Sequence, residues 1–249
     1  MKPLSTRFAG TRLHCDLPLS LGAEIALPAA AARHAVTVLR LQVGDTLHLF
    51  NGEGGEYGAS LIAVSKREAR VRLFEFHAEE RESPVHITLA LGISAGERMD
   101  YSLQKATELG VAAIQPLATE RGVVKLAGER ADKRLQHWQH VVIAACEQCG
   151  RNRVPAVAPV QPFFHYLEQV DRGKRLLMLS PDAETPLKRV VPAAAAVLLI
   201  GAEGGLAPAE YQAAEASGFE PVKLGPRILR TETAPVAALA VLQALWGDL

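Results

Sequence analysis

The chain has 249 residues, 49% of them hydrophobic and 22% charged, the balance of an ordinary globular protein with enough length for a substantial buried core. Lys plus Arg equals Asp plus Glu at 27 each, so bulk charge gives no attraction to nucleic acid, and any such partner must be recognised at one place. No apolar run approaches the roughly 18 residues of a membrane span. The N-terminus lacks a signal-peptide core, and three cysteines suit a reducing compartment. A bacterial-type cytoplasmic protein with no membrane partner is the expectation.

Short strands are predicted first, over residues 13–19, 45–50, 56–64 and 69–76, with Asn51-Gly52 and Gly54-Gly55 as turn chemistry and one helix over 29–39. That count predicts a compact β-barrel-like domain over residues 1–78. Lys66, Arg67, Arg70 and Arg72 form a basic cluster in it, read as a solvated face. The polar run up to Pro84 places a linker at 79–84.

From residue 85 strands and helices alternate. Strands are predicted at 85–93, 111–117, 175–180, 196–200 and 221–224, and helices at 98–109, 132–149, 208–217 and 233–246. Short, continuous apolar strands such as 196–200 are typical of a parallel sheet covered on both faces, so residues 85–249 are expected to form an α/β domain. The last helix is apolar nearly all round, and both its own core and a second subunit remain open as what buries it. Cys146 and Cys149 form a C-x-x-C behind His137 and His140, an inventory that resembles a metal site. At about 1.5 Å per helical residue, His137 and Cys149 would lie roughly 18 Å apart, so no metal is expected.

Two loops stand out. Residues 201–205 read Gly-Ala-Glu-Gly-Gly after one apolar strand, and residues 224–234 read Leu-Gly-Pro-Arg-Ile-Leu-Arg-Thr-Glu-Thr-Ala after another. The first lacks the spacing and position of a dinucleotide fingerprint. Its glycines permit close approach of a ligand to the backbone, and Glu203 either meets a cation or faces water. Ligands of open α/β sheets bind at the carboxyl ends of strands, where both loops sit.

Together these loops resemble the signature segments of the RsmE family, methyltransferases acting on uridine N3 in small-subunit ribosomal RNA. The resemblance extends to residues 98–110, to Glu-Gln-Cys-Gly-Arg at 147–151, and to Val43-Gly-Asp45 and Gly52-Glu-Gly-Gly-Glu56. It implies an N-terminal PUA-like RNA-binding barrel, a C-terminal SPOUT-class α/β domain tied in a trefoil knot, a homodimer, and 16S ribosomal RNA in the small subunit as partner. It also implies S-adenosylmethionine as cofactor, held by Leu179, Leu199, Gly201, Glu203, Gly204, Leu224, Gly225, Leu229 and Thr231. Two positions depart from the family pattern: Ala202 stands where proline is usual, and Ala207 where serine commonly caps the next helix, a loss of about 1 kcal/mol.

Uracil N3 carries a proton that must leave, so fixed donors should favour charge on the ring. Arg230 is the candidate stabiliser of that charge or of the adjacent phosphate, Arg7 a second arginine reaching in from the first domain of the same or the other subunit, and water or Glu232 the proton acceptor. A structural ion pair of Arg230 with Glu203 or Glu232, and a helix-capping role for Glu232, are the alternatives. An RNA-binding adaptor without catalysis and a nicotinamide dehydrogenase are the rivals from other classes.

Overall fold

The computed structural model describes residues 10–65, 68–122 and 128–249, which fall into two compact units. The first comprises Met1–Glu82 with Cys146–Val154, the second Ser83–Ala145 with Pro155–Leu249. Among the described residues no helix is long and apolar enough to cross a membrane.

The first unit holds β1 (Arg12–His14), β2 (Glu24–Ala26), α1 (Ala29–Arg33), β3 (Thr46–Phe50), β4 (Glu56–Val64) and β5 (Ala69–His77). They form a five-stranded sheet in the order β1-β3-β4-β5-β2, with β3, β4 and β5 antiparallel and β1 parallel to β3. Inward residues alternate as the strand period requires, so Leu47, Leu49, Leu61, Val71 and Leu73 form one core with Leu13. Ala31, Ala32 and Ala35 close that core from the helical side, their small side chains allowing close packing.

Residues Cys146–Val154 are built into this unit by a buried polar network. Arg12 pairs with Glu56, both side chains only 8% exposed, and its second terminal nitrogen donates to Arg151 O and Asn152 Oδ1, each at 3.0 Å. Arg151 pairs with Glu82, Asn152 Nδ2 donates to Glu79 O at 2.9 Å, and Glu147 Oε1 accepts the His14 N–H at 2.9 Å. Residues read as linker in the sequence are thus held by charge-assisted bonds. Burial, then repulsion from Arg81, pushes the Arg12 guanidinium down to about 10, and burial pushes the Cys146 thiol up to about 12.

The second unit holds β6 (His86–Gly92), α2 (Glu97–Glu108), β7 (Ala113–Ala118), α3 (Glu129–Cys149, whose last turn belongs to the first unit), β8 (Ala156–Val157), β9 (Gln161–Pro162), α4 (Phe163–Gln169), β10 (Arg175–Leu179), β11 (Ala195–Ile200), α5 (Pro208–Ala216), β12 (Glu220–Val222) and α6 (Thr233–Trp246). Its strands are all parallel, in the order β12-β10-β11-β6-β7-β8 with β9 also on β7. The chain leaves β6 for β7 on one side, whereas from β11 it passes β10 to reach β12 on the other. The β6–β11 pair is therefore the switch point at which such sheets open a crevice. Gln243, the one polar residue buried in α6, accepts from Ser83 Oγ at 2.7 Å and donates to Leu109 O at 2.9 Å, tying α6 to the end of α2.

Several expected elements differ. The strand expected over 13–19 ends at His14, because Leu17 N–H folds back to Cys15 O at 2.7 Å ahead of Pro18. The helix expected over 29–39 is α-helical only to Arg33 and continues as a π-helical turn, His34–Val38. The sequence reading missed β2, β8, β9 and α4. All are short, and α4 begins right after Pro162. Lys66 and Arg67 lie outside the described residues, while Arg72 donates to Glu24 at 2.9 Å. His137 bonds Asp100 at 2.7 Å, and Cys146 Sγ contacts Arg153 O at 3.8 Å.

Replacing Arg12 by Met leaves the buried Glu56 carboxylate only the 4.0 Å approach of Arg81, so Arg12→Met is expected to cost about 3–5 kcal/mol of unfolding free energy. Urea denaturation measures this, and a loss under about 1 kcal/mol would show the pair to behave as a solvated one.

Candidate functional site

Parallel strands bring their carboxyl ends to one edge, and there the loops after β10, β11 and β12 enclose a cleft of about 280 Å³. Leu179 contributes from the first loop, Gly201, Glu203 and Gly204 from the second, and Leu224, Gly225, Leu229 and Thr231 from the third. Of the residues assigned to a cofactor, Leu199 does not line it. It is fully buried in the core of the second unit, while the next residue of the alternating strand, Ile200, faces the cleft.

Backbone packing shapes the glycine loop. A Cβ on Gly92, at the end of β6, would lie 2.4 Å from Ala202 N, and one on Gly201 would lie 2.7 Å from the Gly205 carbonyl carbon. Real Cβ atoms cannot occupy such positions, so strand end and loop meet through bare backbone. Gly205 N–H donates to Ala202 O at 2.9 Å and closes the turn, with Gly205 at φ +68°. The alanine at 202 is compatible with this turn: it is buried, and its N–H faces the end of β6.

Side chains then lock the loops together. Glu203 Oε1 accepts the Ala95 N–H at 2.8 Å and lies 3.5 Å from an Arg98 nitrogen, whereas Glu203 Oε2 is buried without a hydrogen-bond partner. Thr231 Oγ1 lies 3.0 Å from Ser94 Oγ, bringing the third loop to the end of β6. At the start of α5, Ala207 has no side chain to cap the helix, but buried Glu210 accepts the Ala207 N–H at 2.9 Å and the Glu120 N–H at 2.8 Å. One carboxylate therefore satisfies a helix-end donor and fastens the loop after β7.

Of the side chains named for chemistry, Arg230 and Glu232 flank Thr231 in the third loop but do not line the cleft. Arg230 is exposed, its carbonyl accepting from Thr233 and Ala234 N–H at 3.0 Å each, and among the described residues no ion pair joins it to Glu203 or Glu232. Glu203 is engaged by Arg98 instead. Glu232 occupies the N-cap position of α6 but makes no side-chain capping bond. Arg7 lies outside the described residues. Sequence reasoning gave Arg227, which lines the cleft, no part in the chemistry, and passed over the contributions of Ser94, Ala95 and Arg98. The carboxyl-end rule, applied to β6 as well as to β11 and β12, would have found the last three.

Overpacking at Gly92 should be felt directly. Gly92→Ala is expected to cost about 1–3 kcal/mol of stability by forcing two backbones apart. Gly205→Ala, whose Cβ would meet open space, should cost only the left-handed conformation, about 1 kcal/mol. Equal losses in chemical denaturation would contradict the steric account.

Comparison with known proteins matches the chain to two family models. Residues 81–243 match the model of an RNA methyltransferase domain and residues 27–74 that of an RNA methyltransferase PUA domain. The ribosomal RNA small subunit methyltransferase E of Buchnera aphidicola is 35% identical over 87% of this chain and 86% of its own. The enzyme of that name from Neisseria gonorrhoeae, solved bound to S-adenosyl methionine, superposes with TM-score 0.90 at 42% identity over 96% of this chain and 99% of its own. A Legionella pneumophila protein solved with bound SAM gives TM-score 0.93 at 40% identity over 96% and 99%. Similarity runs through both domains and nearly the full length of each relative, and the chain belongs to the ribosomal RNA small subunit methyltransferase E family.

Proposed function

We propose that this protein transfers the methyl group of S-adenosylmethionine to N3 of one uridine in 16S ribosomal RNA, on the assembled small subunit in the bacterial cytoplasm. The observation that carries the reading is the three-loop cleft at the carboxyl ends of β10, β11 and β12, lined by all of the expected cofactor residues except Leu199. The residues fit such a cofactor: Glu203 Oε2, buried and without a hydrogen-bond partner among the described residues, is the kind of acceptor that an ammonium or ribose hydroxyl satisfies. The SPOUT knot belongs to the same reading, supported by the passage from β11 past β10 to β12.

When bound, the cofactor supplies a methyl group already activated on a sulfonium. The protein's own task is to seat uracil in line with that group and to manage the N3 proton. Arg230, exposed and without an ion-pair partner among the described residues, favours negative charge developing on the ring or binds a neighbouring phosphate. A guanidinium stays protonated at neutral pH, so the proton passes to water or to Glu232, whose carboxylate makes no capping bond. Arg7 is assigned as a second cation from the first domain.

A homodimer completes the proposal. Helix α6 buries Ala238, Leu239 and Leu242 within the chain, but Ala237, Ala240 and Val241 are only partly covered and Leu245 is 47% exposed. A second copy would cover that apolar stripe, and sedimentation velocity should give twice the monomer mass.

Incubation with unmodified small subunits and cofactor, followed by mass-spectrometric mapping, should yield a single N3-methyluridine. Absence of cofactor binding by calorimetry would instead favour a non-catalytic RNA adaptor. Arg230→Ala is expected to slow methyl transfer by about 10²–10³-fold, the effect of losing one charge-stabilising donor. Unchanged turnover with lowered stability would make the arginine structural. Glu232→Gln should slow transfer with cofactor affinity intact.

A further inference from the structure

Two arginines from separate elements are clipped onto consecutive residues of the glycine loop. Arg98, in the first turn of α2 and 50% exposed, faces the Glu203 carboxylate at 3.5 Å. Arg121, in the loop after β7, donates from one terminal nitrogen to Gly204 O at 3.1 Å and is otherwise exposed. The position of Arg121 is built rather than incidental. Glu210, 1% exposed, holds the preceding Glu120 N–H at 2.8 Å, and a Cβ on Gly204 would lie 2.9 Å from Arg121 Cβ. Buried carboxylate and missing side chain together fix where this guanidinium stands.

Charge balance shows what the pair lacks. Glu203 already accepts the Ala95 N–H with the oxygen that faces Arg98. Among the described residues no carboxylate pairs with Arg121, nor with Arg227 across the cleft. Exposed Glu120, beside Arg121, offsets part of this charge. Arg98 is neutralised on one side by Glu203, while Arg121 and Arg227 have no carboxylate partner among the described residues, which leaves their donors available to an anion. Their planar forks match a phosphodiester, and phosphate contacts fix the register of a nucleic-acid strand without reading its bases.

We propose that Arg98 and Arg121 form a phosphodiester clamp at the mouth of the cleft, seating the RNA backbone beside the target nucleotide. The proposal rests on the reading of this cleft as an RNA methyl-transfer site. The two residues are positioning residues, remote from the transferred methyl group, so their loss should be felt in substrate affinity and in its dependence on salt.

The test measures methyl transfer to unmodified small subunits by the full-length protein across a monovalent salt series, with cofactor affinity determined in parallel by calorimetry. Arg121→Met and Arg98→Met are each expected to raise KM for RNA about tenfold with little change in kcat. Each should also flatten the slope of log(1/KM) against log salt by about 0.7, the loss of one phosphate contact on a single strand. Arg121→Lys, which keeps the charge, should retain most of the slope. An unaltered slope in both Met variants of an active enzyme overturns the clamp while leaving the methyltransferase reading intact. A fall in cofactor affinity equal to the rise in KM also overturns it, because the arginines would then be bracing the glycine loop. A wild-type protein that methylates no RNA removes the clamp and the reading together.

Discussion

Everything at the cleft depends on backbone meeting backbone where β6 ends against the loop after β11. With no side chain at Gly92 or Gly201, Ala202 N reaches the strand end and the loop doubles back on itself. Placed there, Glu203 meets Ala95 and Arg98, and Gly204 meets Arg121. A methyl group at either glycine would separate these partners before any electrostatic attraction could act, since repulsion at 2.4 Å far exceeds the energy of one hydrogen bond. Sterics thus come first, and the polar contacts are arranged on the space that sterics leave.

The division of labour between the two units follows the same logic at larger scale. The second unit builds its cleft from loops, where backbone groups are free to face a ligand, on a sheet whose strands are buried on both faces. The first unit has a small core of aliphatic residues and alanines, and gains definition from ions in dry surroundings. Ion pairs of that sort give little net stability and are costly to break by halves. They specify the path of residues 146–154 more than they strengthen it.

Much of this was legible in the sequence. The long strands β4 and β5 and the alternation after residue 85 follow from periodicity, the helix α6 from its long apolar run, and the two polar loops between apolar elements pointed to the cleft. Pieces with too few residues to show a period were invisible, among them β2, β8 and β9. Leu199 was assigned to the cofactor by position in the family resemblance, and it does not line the cleft. The alternation of a strand turned it into the core, and only the register of β11 decides which of two adjacent apolar residues faces out. Ser94 and Arg98 were hidden for another reason, because their partners Thr231 and Glu203 are more than a hundred residues away along the chain. Pairings of that kind come from topology, which no local pattern records.

The clustering of Cys146–Val154 with Met1–Glu82 bears on how the protein is made. A nascent chain emerging from the ribosome has all five strands of the first sheet available by His77, yet Asn152 and Arg151, which satisfy Arg12 and Glu82, follow only after β6, α2, β7 and α3 have been synthesised. Until then Arg12 has only Glu56 as partner and Glu82 lacks Arg151, so the first unit cannot close its polar network in the order of translation. Its completion waits on the middle of the chain, and a fragment cut at residue 78 would keep the Arg12–Glu56 pair but lack the Arg151 and Asn152 acceptors of the Arg12 guanidinium.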